Sequence, residues 1–137
     1  MLRKSILVIS DQHAPYHHID TLDFLAAIKK KYKPDTVVNI GDEMDWHSIS
    51  FHDSHPGLYS PSHELQVARK FFKNLEKLFP KQYVMDSNHG SLVFRKATRH
   101  GLPHEVFKSY NTMLGVGKGW TWHEDLILKA SNGQKLY

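Results

Sequence analysis

The chain has 137 residues, long enough for one domain with a real core, and carries a net charge of +4, a mild basic excess that suits a polyanionic partner. Hydrophobic residues make up 40% and charged residues 23%, as in ordinary globular proteins, and the lack of cysteine excludes disulfides and Cys-ligated zinc. Eleven histidines are the unusual feature, and they make a metal site worth seeking.

Ile6 to Ile9 are four β-preferring apolar residues, read as a strand buried on both faces. That strand runs into Asp11 and His13, whose i, i+2 spacing lets a carboxylate and an imidazole turn toward one point. Alone, the pair is weak evidence, because a turn Asp beside a surface His arises readily by chance. Ile19 to Lys33 reads as a helix with Leu22, Phe24, Leu25, Ile28 and Tyr32 on one side, stopped by Pro34. Thr36 to Ile40 is a second buried strand ending in Gly41-Asp42, which completes a βαβ unit with a right-handed crossover.

A long loop follows, Glu43 to Ser60, holding Trp46, His47, Phe51, His52 and His55. Loops of that length in a small domain are more often functional than idle. Ser60-Pro61 supplies a cap and a first-turn proline for a two-sided helix from about Ser62 to Phe79. Gln82 to Met85 reads as a third strand, leading through Asp86 into Ser87-Asn88-His89-Gly90. Helices are expected over Leu92 to Arg99 and from Pro103 to about Met113. Trp120 to Trp122 and Leu126 to Ala130 look like strands, with a hairpin turn at Asn132-Gly133 and a return strand from Gln134. No apolar run approaches the roughly 18 residues of a membrane span and no signal-peptide core is visible, so a cytoplasmic location is expected.

On this map Asp11 and His13 follow the first strand, Asp42 the second, and Asn88 and His89 the third. In α/β sheets the site lies outside the carboxyl ends of the strands. Three strand ends thus deliver carboxylates, imidazoles and an amide oxygen to one rim, a joint placement far more specific than any single motif.

Asp11-Gln12-His13, Gly41-Asp42 and Ser87-Asn88-His89 resemble the first three signature blocks of the calcineurin-like metallophosphoesterases, in order and in strand-end context, over about residues 5 to 90. The resemblance implies a metallophosphoesterase-type α/β/β/α sandwich holding two divalent metal ions. Asp11 and His13 would hold the first ion, Asp42 would bridge both, and Asn88 would bind the second. His89 would be catalytic, facing the substrate phosphate. Mn2+ leads as the metal, with Ni, Zn, Fe or Mg also suited to oxygen and nitrogen ligands.

Three departures from the family pattern stand out. Ser87 replaces a usual Gly. Gly90 replaces the acid that usually orients the His. The downstream His and the G-H-x-H block are missing, with His104 and His123 the only late candidates, and the last strand ends early. The expectation is an N-terminal portion of the domain that lacks part of its ligand set. His17, His18, His63 and His100 read as surface residues, and Asp45 and Asp53 as solvated.

The resulting expectation is a metal-dependent phosphoesterase acting on a phosphodiester, with nucleic acid favoured by the basic pI, the aromatic-His loop and the Arg95/Lys96/Arg99 cluster. His47, His52 and Arg95 are the candidate substrate contacts. The alternatives are a phosphomonoesterase or nucleotide phosphatase, and a non-catalytic binding module on the same fold.

Overall fold

The computed structural model describes residues 5–137. In chain order they form β1 (Ile6–Ile9), α1 (Thr21–Tyr32), β2 (Thr36–Asn39), α2 (Pro61–Leu78), β3 (Gln82–Met85), α3 (Leu92–Arg99), α4 (Tyr110–Leu114), β4 (Trp120–His123), β5 (Leu128–Lys129) and β6 (Lys135–Leu136). Strands β1 to β4 make one parallel sheet in the order β1-β2-β3-β4, and β5 and β6 pair separately as an antiparallel hairpin. The protein is therefore of the α/β class. Among the described residues, the only companion to the main sheet is that short hairpin.

Strand order follows chain order, so right-handed crossovers bring the helices to one face. Helix α2 touches both α1 and α4 there. Its sequence explains why it forms and which way it faces. The Ser60 side chain accepts the His63 N–H at the N-terminus, and Pro61 fills the first turn. Ala68, Phe71, Phe72 and Leu75 recur at helical spacing and are buried against Val37, Val84 and Trp120 of the sheet. The Trp120 Nε1–H donates to the Phe79 carbonyl at 2.9 Å, so the indole is buried without losing its hydrogen bond.

The opposite face of the sheet is thinly covered. Val8 is 56% exposed and Ile40 55%, so β1 is not buried on both faces as its sequence suggested. An all-apolar run signals a covered strand only when both layers are present, and here Val8, Val38 and Ile40 line an open cavity together with Leu126, Leu128 and Leu136.

The single helix expected after Pro103 is broken in two. A short 3-10 turn spans His104–Val106, Phe107 is extended (φ −94°, ψ 154°), and α4 starts afresh with the Ser109 side chain accepting the Thr112 N–H. A serine that caps a new turn competes with continuing the old one. Among the described residues, no helix is long and apolar enough to cross a membrane.

Candidate metal centre

Because β1, β2 and β3 are parallel neighbours, their carboxyl ends open onto one rim. Backbone pairing continues past the strands. Asp11 N–H donates to Gly41 O (3.1 Å), His13 N–H to Asp42 O (2.9 Å), Ala14 N–H to Glu43 O (2.9 Å) and Asp45 N–H to Ala14 O (2.9 Å). This zip lays the Asp11–His13 turn against the Asp42–Asp45 turn. Ala14 and Met44, both fully buried, pin its far end.

Four non-glycine residues here hold left-handed backbones: Asp11 (φ 52°), His13 (φ 47°), Asp42 (φ 52°) and Trp46 (φ 53°). Such residues are costly, at about 1–3 kcal/mol in strained cases, and persist where surrounding structure over-determines them. Aspartate tolerates this region better than most, and Trp46 is held by burial. Gly41 is required for two reasons. Its φ is +109°, and a Cβ there would stand 2.4 Å from the Ser87 Cβ.

One ligand atom each from Asp11, His13 and Asp42 lie within 4.8 Å of one another, and the same holds for His13, Asp45 and His89. His13 belongs to both groups. Its Nδ1 lies 2.7 Å from Asp45 Oδ1 and its Nε2 lies 3.8 Å from Asp11 Oδ1. The His89 ring meets that of His13 edge-on at 4.7 Å. Its Nδ1 is 2.6 Å from the Asp45 carbonyl, which can only accept, so Nδ1 carries the proton and Nε2 is left free. The His89 backbone N–H donates to Asp42 Oδ1 at 3.2 Å. Among the described residues, these carboxylates meet only histidines within ion-pair range, and no Lys or Arg. Clustered carboxylates and imidazoles with no Lys or Arg beside them make a site that could hold a divalent ion.

Two further residues tie the rim together. The Ser87 Oγ accepts the N–H of Asp42 (2.9 Å) and of Gly90 (3.1 Å), so this serine links the second strand tip to the third. Glu43 is buried below the site, and burial pushes its carboxyl up to about 7. Trp122 Nε1–H donates to its Oε1 at 3.3 Å. A Cβ on Gly90 would come within 3.0 Å of Glu43 Oε1, so Gly90 leaves room for the Glu43 carboxyl.

The structure brings Asp11, His13 and Asp42 together in one group, and His13 and His89 together with Asp45 in a second. Asn88 lies exposed on the same rim, with its carbonyl accepting from Arg95 Nη2 at 2.6 Å. The expectation that Asp45 is solvated is corrected: its side chain is 18% exposed and touches both imidazoles. Gly90 does not leave His89 unsupported either, since the Asp45 carbonyl orients the ring. The spacing Asp42-x-x-Asp45 was the available signal. Its meaning depends on the loop folding back along Ala14.

His47 is half-buried, accepts the His55 N–H on Nε2 at 3.1 Å and stands edge-on to Tyr16. His52 is exposed, with its backbone bonded to Ser50. His104 lies tilted against the Phe94 ring, and His123 bonds Thr121 beside Tyr83. Neither joins a metal-competent group among the described residues. His17 is no plain surface residue. Its ring stacks on Phe71 at 3.9 Å, and burial pushes its pKa down.

No family model matches the sequence, and no curated protein matches it. A solved crystal structure is similar over 96% of this chain and 50% of its own, with 14% identity and a TM-score of 0.49. The chain spans half the length of that protein.

Proposed function

We propose that this chain carries the first part of a dinuclear metal centre of the calcineurin-like metallophosphoesterase kind and serves metal-dependent hydrolysis of a phosphodiester. One observation carries the reading: Asp11, His13 and Asp42, from two adjacent strand tips, bring ligand atoms within 4.8 Å. The residue types support it, because carboxylate oxygen and neutral imidazole suit Mn2+ and related divalent ions.

Cations held there would supply Lewis acidity, acidifying a water and drawing charge from the phosphoryl oxygens. The chain's own groups have distinct parts in this reading. Asp11, His13, Asp42 and Asn88 would be the residues that hold the ions. Asp45 positions both imidazoles, fixing His13 through Nδ1 and His89 through its carbonyl. His89 is thereby left with Nε2 as the atom that meets substrate, donating to a phosphoryl or leaving oxygen when protonated.

Turnover of bis-p-nitrophenyl phosphate with Mn2+ tests the reading. Asp42→Asn is expected to lower the rate by about 10²-fold or more, as loss of a bridging carboxylate should. Unchanged turnover and unchanged Mn2+ affinity in that variant contradict it.

A further inference from the structure

Three cations crowd one exposed ring beside the metal centre. Arg95, Lys96 and Arg99 of α3 place their charged groups 5.6, 4.6 and 4.0 Å from the Phe51 ring centroid. None of them has a carboxylate within ion-pair range among the described residues. One aromatic face offsets part of that mutual repulsion, and an anion would offset it better. The cluster is joined directly to the site, because Arg95 also donates to the Asn88 carbonyl, one residue from His89.

A second exposed surface adjoins the centre. The Tyr16 and Tyr59 rings stack at 5.9 Å with planes 18° apart, and they are 36% and 42% exposed. His63 lies 4.6 Å from the Tyr59 ring. This group is joined to the site as well, since the Tyr16 N–H donates to the His13 carbonyl at 2.8 Å. The site is thus joined to a carboxylate-free cationic cluster through Asn88 and to a set of exposed, flat rings through His13.

We infer that the Arg95/Lys96/Arg99 cluster on Phe51 and the Tyr16/Tyr59 rings form a path for a single-stranded nucleic acid across the metal centre. The cations would anchor phosphates next to the scissile one, and the rings would stack bases. A single strand fits best because its bases are free to leave the stack, whereas those of a duplex are not. An anionic membrane or a phosphorylated peptide would use the cations and leave the tyrosines without a role. The inference takes phosphodiester hydrolysis as its starting point and names the substrate class.

Fluorescence anisotropy with a short fluorescein-labelled oligothymidylate, in EDTA so that nothing turns over, separates binding from catalysis. The K96A/R99A double variant is expected to bind at least about 10-fold more weakly, and its log affinity against log salt should flatten by roughly 0.7 for each phosphate no longer neutralised. Tyr59→Ala is expected to lose roughly 5-fold or more in affinity with the salt slope unchanged. Circular dichroism melts confirm that both variants fold, and their turnover of bis-p-nitrophenyl phosphate should match the parent chain. Equal oligonucleotide affinity in parent and variants overturns the strand path. So does equal binding of duplex DNA or of phosphatidylserine vesicles. Hydrolysis of the small diester without oligonucleotide discrimination leaves the phosphodiesterase reading standing and sinks this one. Variant-sensitive oligonucleotide binding without any hydrolysis does the reverse.

Discussion

The two ends of the same strands obey different rules. Under α2, Val37, Val84, Phe72 and Trp120 are apolar, closely packed and backed by ordinary helix and strand geometry. At the carboxyl tips of β1 and β2, a few residues further on, Asp11, His13 and Asp42 hold left-handed backbones and group uncompensated carboxylates. The first region stabilises the fold. The second draws on that stability to hold polar groups where they repel one another. Residues that improve one region should therefore harm the other.

The largest effect is expected in the core. Phe72 is fully buried, and Phe72→Ala should lower the unfolding free energy by about 3–5 kcal/mol in urea denaturation. A loss under about 1 kcal/mol would mean that the helix-to-sheet packing does not anchor the rim. The opposite sign is expected at the tips. Asp42→Asn keeps an oxygen for the His89 N–H, tolerates the φ of 52° and removes one charge from the cluster. Without metal it should leave stability unchanged or raise it by up to about 1 kcal/mol. With Mn2+ it should lose the stabilisation that the parent chain gains on binding. A strongly destabilised metal-free variant would show that Asp42 is structural.

The smallest effect lies between the two regions, at His17 on Phe71. Its folded-state pKa is held below the ordinary 6.5, so its contribution is fully present above that value and fades as pH falls below it. His17→Phe keeps the ring stack and should flatten the fall in melting temperature on acidification below pH 6.5. A steeper acid limb in the variant would contradict this assignment.

Much of the fold could be read from the chain because local signals agreed with tertiary ones. Helix α3 begins and ends at Leu92 and Arg99, and β3 spans Gln82–Met85, as their sequences suggested. Asp11, His13 and Asp42 could be placed because strand ends are marked by apolar runs that stop at polar residues. Asp45 could not, since its contact with both imidazoles depends on the Ala14–Met44 pairing, which joins segments some thirty residues apart. The part played by Ser87 could not be read either, since its hydroxyl ties two strand tips that only the fold brings together. The open second face of the sheet was also invisible, because an apolar strand looks the same whether one layer or two will cover it.

A direct binding titration of Mn2+, followed by loss of the free-ion electron paramagnetic resonance signal, tests the convergence itself. The account predicts saturable binding by the parent chain. Asp11→Ala should weaken it at least about 10-fold, while Asp53→Asn, on the exposed part of the loop, should leave it unchanged. Equal binding by all three proteins, or none by the parent chain, would contradict a shared cation site at the strand tips.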